Sequence, residues 1–432
     1  MATSKLSLPV IDLATIVVEE QSDAQSLQPA LQKIEEQRRS TLRSPRANMT
    51  LRVIRRAPRF VATIIKQRSK SDTGPHSLTH TTTFKCNYHC KEICDSPLVH
   101  QAMQNQPNGH DLSADEISEI YRQLPAMDYV RFTGGEPTLR KDFIELSHLA
   151  EEHLRPIVIH MTTNASLPER VVQFAVERPR HVPLDLMISI DGVAEKHCAS
   201  RHHHRAFDRC IETVKELAPR QRELKLNIRI NQTIADSEGI EHYRKLHDLL
   251  KEFKVRHQIV MAYNASATYA VERDKSYAPT REELFSPVGE FQKDELDRFF
   301  REVRADAKAE LSGPERWIQQ YYLDGIRARM LKNEPSPNPP CVALSSHLRI
   351  FPNGDVPTCQ FNSHIVGNLR LQSFKEVWQG PERLAQHRWV KRCAGCWAGC
   401  EVQPSAAYTG DLLLHQLRPR AQDTRKAALI RN

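Results

Sequence analysis

The 432-residue chain has no apolar run approaching the roughly 18 to 20 residues that a membrane-spanning helix requires. Its opening residues, MATSKLSLPVIDL, lack the charged-then-apolar order of a secretory signal. Both absences lead to the expectation of a cytoplasmic protein without a transmembrane segment. In that compartment the ten cysteines argue against disulfides, so clustered thiols point to metal and scattered ones to packing. No internal repeat is evident. Acid is missing from one stretch: from Arg38 to Lys70 there are eleven Lys or Arg and no Asp or Glu. Taking those eleven from the 61 basic residues leaves 50 against 53 acids, so the formal charge of +8 is local to that run.

Within the basic run, Leu51, Ile54, Ala57, Val61, Ile64 and Ile65 recur at helical spacing, while Arg52, Arg55, Arg56, Arg59 and Lys66 take the other positions. The pattern predicts an amphipathic helix, kinked at Pro58, packed on its own protein with a solvated basic face. Such a helix also suits peripheral contact with an anionic membrane, a nucleic acid or an acidic peptide.

From residue 77 strands alternate with helices, the signature of parallel βα units. The strand candidates are SLTHTTTF (77–84), YVRFT (129–133), PIVIHMTT (156–163), LDLMISI (184–190), LKLNIRIN (224–231) and HQIVMAYN (257–264). A helix opens at SADEISEIYRQL, where Ser113 and Glu116 form a capping box. Six units predict an α/β fold, a partial (β/α)6 TIM-like barrel whose site lies at the strand C-termini. The expected divisions are a basic, mainly helical region (1–76), the partial barrel (77–270), a helical connection (271–335), a small cysteine-rich extension (336–405) and a tail (406–432). Helices are expected near 293–310 and 314–331, and the Pro-rich NEPSPNPP (333–340) reads as a linker.

Polar motifs follow the first four strands. The loop FKCNYHCKEIC carries Cys86, Cys90 and Cys94. Three thiolates on one loop leave one iron of a cubane cluster open to an exogenous ligand, which makes such a site catalytic. GGEP supplies Gly134, Gly135 and Glu136, TNAS supplies Asn164, and SIDG supplies Ser189 and Asp191. His202, His203 and His204 are adjacent in a loop and read as solvated, and Cys198 and Cys210 read as structural thiols. In the last third, Cys341 and Cys359 flank an Asn353-Gly354 hairpin signal, and KRCAGCWAGCE adds Cys393, Cys396 and Cys400. These spacings also suit a structural zinc site.

Over residues 77–265 the sequence resembles the radical S-adenosylmethionine superfamily, whose pattern is C-x3-C-x-Φ-C. Cys86 and Cys90 fit it, and Cys94 arrives one residue late. The resemblance implies a 4Fe-4S cluster on the three cysteines, with the fourth iron chelated by S-adenosylmethionine. It implies that Gly134, Gly135 and Glu136 hold the methionine amino group, that Ser189 and Asp191 reach the ribose, and that Asn164 and Arg201 belong to the same site. The C-terminal third resembles the SPASM and twitch extensions of this superfamily. Five cysteines there would hold one auxiliary 4Fe-4S cluster with a thiol over. The implied activity is reductive cleavage of S-adenosylmethionine to a 5′-deoxyadenosyl radical, then hydrogen abstraction from a substrate C–H, with flavodoxin or ferredoxin as reductant. A ribosomally made peptide is the substrate expected first. A twitch-type dehydrogenase or epimerase acting on a small sugar or alcohol is the alternative, and a non-enzymatic iron–sulfur or zinc protein binding nucleic acid is the third reading.

Overall fold

The computed structural model describes residues 45–69, 71–90, 110–262, 291–334, 336–362, 364–393 and 395–417. The chain divides into two units, Met1–Arg52 and Val53–Asn432, and the second carries every strand and every cysteine among the described residues.

Six strands appear where the sequence pattern places them: β1 (Ser77–Thr81), β2 (Tyr129–Thr133), β3 (Val158–Thr163), β4 (Leu184–Ser189), β5 (Leu226–Ile234) and β6 (Arg256–Met261). Each pairs in parallel with the next, as right-handed βα crossovers require. The sheet holds one strand more than six units supply. His347–Ile350, from the cysteine-rich extension, forms β7 and pairs in parallel with β1, Ser77 opposite His347 and His80 opposite Ile350. The order is β6-β5-β4-β3-β2-β1-β7. The extension is therefore tied into the barrel by a shared ladder, with fully buried Leu348 and Ile350 alternating with His347 and Arg349.

Burial alternates along these strands with period two. In β5, Leu226, Ile228, Ile230 and Ile234 are buried, whereas Asn227, Arg229, Asn231 and Thr233 are half-buried. In β2, Val130 and Phe132 are buried between half-buried Tyr129, Arg131 and Thr133. Phe132 meets Phe143 of the helix Phe143–Leu149 edge-on at 5.5 Å, and Phe143 stacks on Phe174 at 4.6 Å, so the apolar set faces the helices. The partial exposure of the other set comes from the concave side. That side is a polar, open lumen.

The expected capping box is present: Glu116 N–H donates to Ser113 Oγ (3.2 Å) and Ser113 N–H to Glu116 Oε2 (2.8 Å). The paired helices Lys293–Glu310 and Gly313–Lys332 also lie where expected. They share a core with the extension, in which Trp397 is fully buried, donates from Nε1 to Tyr322 O (2.7 Å), and lies against Gly325, where any side chain would collide with the indole.

Two expectations are corrected. Asn353 and Gly354 do form a tight turn, with Gly354 at φ +91° and its N–H donating to Phe351 O (3.0 Å). The next strand, β8 (Asp355–Pro357), nevertheless pairs antiparallel with β9 (Ile365–Asn368) in a separate two-stranded sheet rather than with β7. The basic helix, Pro45–Arg68, runs through Pro58 unbroken and is turned over relative to its expected orientation. Arg56 donates to Arg155 O (2.7 Å) and pairs with Asp128 (3.0 Å), and Arg59 donates to Ala126 O (2.8 Å) and Pro75 O (3.0 Å). Ile54, Val61 and Ile65 instead face solvent, each more than half exposed. Arginine stems long enough to reach the loop carbonyls at the N-terminal rim of the barrel, plus the half-buried carboxylate of Asp128, outweigh the apolar stripe for the inward face.

Candidate active site

The first three polar motifs interlock at the C-terminal ends of β1, β2 and β3. Past the strand ends the β1–β2 pairing continues, with Gly135 N–H donating to Thr83 O and Glu136 N–H to Lys85 O, both at 2.8 Å. A Cβ on Gly134 would overlap the Thr83 carbonyl oxygen, and one on Gly135 that of Lys85. The close approach these glycines permit is thus to the backbone of the cysteine loop, which they hold against the sheet edge.

Glu136 is fully buried. Its Oε1 accepts from Thr138 N–H (3.0 Å), Thr138 Oγ1 (2.6 Å) and Thr163 Oγ1 (2.9 Å), and its Oε2 accepts from Asn164 N–H (2.7 Å). Burial raises its pKa, and these four donors offset only part of the rise. Oε2 takes one bond and keeps acceptor capacity for another donor. From Asn164 the network reaches sulfur: Nδ2 lies 3.6 Å from Cys86 Sγ and 3.2 Å from Asn87 Oδ1, which also accepts from Ser166 Oγ (3.0 Å).

On the other side of the loop, Arg201 joins Cys90 to Asp191. Its Nη1 donates to Cys90 Sγ at 2.9 Å, and its Nη2 is 2.6 Å from Asp191 Oδ2. All three side chains are buried. Burial pushes the Asp191 carboxyl up, but Arg201, His197 and the Thr233 N–H outweigh it and hold the group below the ordinary range. Arg201 itself stays charged, its pKa far above normal because Asp191 and Cys90 outweigh its desolvation. Ser189 sits half-buried at the end of β4, where its carbonyl lies 3.9 Å from Cys210 Sγ. Cys94 lies outside the described residues.

Sequence spacing hid two thiols of this neighbourhood. Cys198 packs with Cys86 against Tyr88, Cys90 and Ala206, and Cys210 is buried beneath Asn164, its Sγ 3.4 Å from the Asn164 carbonyl and its thiol pushed up to about 12 by burial. His203 lies against Tyr88, ring centroids 5.1 Å apart, while His202 and His204 are exposed. The donor set fits an iron–sulfur cluster. Burial pushes the Cys86 thiol up to about 11, so a thiolate there needs a metal, and N–H groups from Asn164 and Arg201 point at the two described sulfurs.

In the extension, four of the five cysteines, Cys341, Cys359, Cys396 and Cys400, feel one carboxylate, Glu401. Burial, then Glu401, raises the thiols of Cys341, Cys396 and Cys400, and takes Cys359 to about 12; for Cys400, Arg349 and Arg131 oppose the rise. Backbone N–H groups of Asn362 and Gly395 lie 3.3 and 3.4 Å from the sulfurs of Cys359 and Cys393. Glu401, beside Cys400, is buried at 3.1 Å from His347 and 3.2 Å from Arg349; against burial, these two hold its pKa down to about 2. His347 Nε2 is in turn 2.9 Å from Thr79 Oγ1 on β1. Among the described residues no three His, Cys, Asp or Glu side chains converge on a single ion. Thiolates on a cubane bind separate irons and stand wider apart than the ligands of one ion.

The lumen carries a polar network of its own. There, Asp185 is 2.9 Å from His160 Nδ1, accepts from Asn227 Nδ2 (2.9 Å) and from Arg229 Nε (2.7 Å), and Gln258 accepts from Arg229 Nη1 (3.3 Å). Burial holds His160 well below its ordinary pKa, so the ring is neutral. These residues were not singled out from the sequence, although the alternation in NIRINQTI signals their common face.

Comparison with known proteins matches two domains. Residues 81–250 match the radical SAM superfamily and residues 341–397 match SPASM, an iron–sulfur cluster-binding domain. The PqqA peptide cyclase of Bradyrhizobium diazoefficiens is 26% identical over 376 residues, covering 80% of this chain and 87% of the relative. The AdoMet-dependent heme synthase of Methanosarcina barkeri is 25% identical, covering 79% of this chain and 95% of the relative. The mycofactocin maturase MftC of Mycolicibacterium smegmatis is 25% identical, covering 79% of each chain.

Proposed function

Because this chain belongs to the radical SAM superfamily and carries a SPASM iron–sulfur domain, we propose that it uses S-adenosylmethionine cleavage to abstract hydrogen from a C–H of a ribosomally made peptide. The observation that carries the reading is the interlock of cysteine loop, GGE and TNA motifs, in which Asn164 bonds Glu136 through its backbone and approaches Cys86 through its side chain. When bound, the 4Fe-4S cluster and S-adenosylmethionine supply a 5′-deoxyadenosyl radical.

The chain's own residues bind and orient. Cys86, Cys90 and Cys94 are the proposed iron ligands, with Arg201 and Asn164 donating to the sulfurs. Gly134, Gly135 and Glu136 shape the place for the methionine ammonium, Glu136 through the remaining capacity of Oε2. Ser189 and Asp191 line the ribose side, and Asn164 and Arg201 belong to the same cofactor site. Cys341, Cys359, Cys393, Cys396 and Cys400 are the proposed ligands of one auxiliary 4Fe-4S cluster, with one thiol spare. The domain boundaries expected from the sequence belong to the same proposal.

The names of two relatives, a peptide cyclase and a maturase, support the peptide. The heme synthase supports the second reading, a small-molecule substrate. Flavodoxin or ferredoxin is the proposed reductant, in the cytoplasm. The exposed apolar stripe of Ile54, Val61 and Ile65, flanked by exposed Arg55 and Lys66, supports peripheral contact with an anionic membrane. Among the described residues no helix is long and apolar enough to cross one.

Anaerobic turnover with a short peptide encoded beside the gene tests the substrate. A mass change in the peptide together with 5′-deoxyadenosine is expected. Radical formation with no change in any such peptide would move the assignment to a small molecule.

A further inference from the structure

Among the described residues the lumen holds one arginine more than its carboxylates can pair. Arg131, Arg229, Arg256 and Arg349 stand at alternate, concave-facing positions of β2, β5, β6 and β7. Arg229 is paired with Asp185, Arg349 with Glu401, and Arg256 with Glu315. Arg131 has no carboxylate partner among the described residues. Its hydrogen bond is a long one, from Nη2 to Tyr129 Oη at 3.4 Å, and its Nε is buried with no partner. The guanidinium lies 5.7 Å from the Tyr129 ring centroid.

Glu401 favours the Arg131 charge through space but makes no direct pair with it. His160, directly across the β2–β3 register, is neutral, and Glu401 is committed to His347 and Arg349. Arg131 is nonetheless charged at any ordinary pH, as a guanidinium is. Without a direct carboxylate partner, its guanidinium still offers two parallel N–H donors to one carboxylate. Its position is the informative part. Arg131 stands two residues before the end of β2, from which the GGE turn and the cysteine loop follow, and on its other side it is close enough to Cys400 to oppose the rise of that thiol.

We infer that Arg131 anchors a carboxylate of the substrate inside the lumen, between the catalytic loop and the auxiliary cysteines. The inference rests on the proposed function and narrows its substrate to a carboxylate-bearing one. The carboxylate comes either from an acidic side chain of a peptide or from a free organic acid. Arg131 is a binding and positioning residue.

The test uses the full, anaerobically reconstituted chain and three probes: N-acetylglutamate amide, its isostere N-acetylglutamine amide, and glutarate. Affinities are measured by saturation-transfer NMR on the wild type, Arg131→Gln and Arg131→Lys, with iron content and circular dichroism checking that each variant is folded and loaded. The glutamate probe is expected to bind the wild type about tenfold or more tightly than the glutamine probe, and to lose about tenfold in Arg131→Gln, with part of it kept in Arg131→Lys. Glutarate binding as well as the glutamate probe indicates a free acid, and preference for the glutamate probe indicates a peptide. Three results overturn the inference: equal binding of the glutamate and glutamine probes, no binding by the wild type at millimolar concentration, or unchanged binding in Arg131→Gln. A shift in auxiliary-cluster potential with unchanged binding would make Arg131 a counter-charge to that cluster instead. Cleavage of S-adenosylmethionine by the wild type is read separately. If it fails, the proposed function fails; if it persists while the probes ignore Arg131, only this inference falls.

Discussion

Arg201 donates to the sulfur of Cys90 at 2.9 Å with one guanidinium nitrogen and grips Asp191 at 2.6 Å with the other. One side chain thus couples an iron-ligand candidate to the strand-end carboxylate proposed for the ribose. Replacing it leaves Asp191 buried without its main counter-charge. Arg201→Gln is expected to cost about 3 to 5 kcal/mol in denaturant unfolding of the metal-free protein, the usual consequence of breaking a buried pair from one side. Arg201→Lys restores the charge but not the fork, and should recover stability while leaving iron incorporation impaired. Equal stability of Arg201→Gln and the wild type would show that the bridge does not form.

Gly135→Ala tests the hold of the GGE turn on the cysteine loop. The added methyl collides with the Lys85 carbonyl oxygen, which is backbone and cannot swing aside. The loop must shift, so we expect lost iron at residues 86–94 with retained far-ultraviolet circular dichroism and retained auxiliary iron. Full catalytic-cluster iron in this variant would contradict the tight approach.

Truncation separates the two parts of the basic helix. From Arg56 onward its side chains bind the barrel and the C-terminal residues, the latter through Gln67 on Ser345 and Ser346 at 2.8 Å and Arg68 on Thr409 O at 2.9 Å. Removing residues 1–52 is expected to leave a folded, iron-binding protein. Removing 1–70 should yield insoluble or unfolded chain. Identical solubility and iron content in both would mean that these bonds contribute little.

The same docking predicts a pH dependence. Asp128 bonds Arg56, His76 at 3.4 Å and Tyr408 at 3.3 Å. Burial pushes its carboxyl up, but the His76 hydrogen bond and the arginine charges outweigh this and hold it below the ordinary value. A depressed carboxyl stabilises the fold above its unfolded value near 3.9, and that contribution fades as pH falls through the folded value. Asp128→Asn should therefore be less stable than the wild type by about 1 to 3 kcal/mol at neutral pH, with the gap closing below about pH 4. A gap independent of pH would remove the carboxylate from the account.

Local patterns were legible where the chain decides locally. The six strands, the Ser113 capping box and the cysteine and GGE loops all follow from periodicity, turn chemistry and motif order. What escaped is decided by tertiary partners. Nothing within HLRI announces that it pairs with β1 rather than with its neighbour across the Asn-Gly turn. The basic helix reads as apolar side inward until Asp128 and the rim carbonyls are seen to claim its arginines. Arg131 is one letter in YVRFT, and only the unmatched count of lumen charges gives it a role. Cys198 and Cys210 have no ligand spacing, yet the fold packs Cys198 with Cys86 and Cys90 and buries Cys210 beneath Asn164.

The central claim is that Cys86, Cys90 and Cys94 carry the cluster that cleaves S-adenosylmethionine. The direct measurement is 5′-deoxyadenosine formation by anaerobically reconstituted, reduced protein, with iron counted in parallel. Wild type should contain about eight irons, two cubanes, and form the product. Single alanine replacements of Cys86, Cys90 or Cys94 should abolish product and leave about four irons, those of the extension. Unchanged product formation in Cys94→Ala, or none from wild type holding its full iron, would contradict the account.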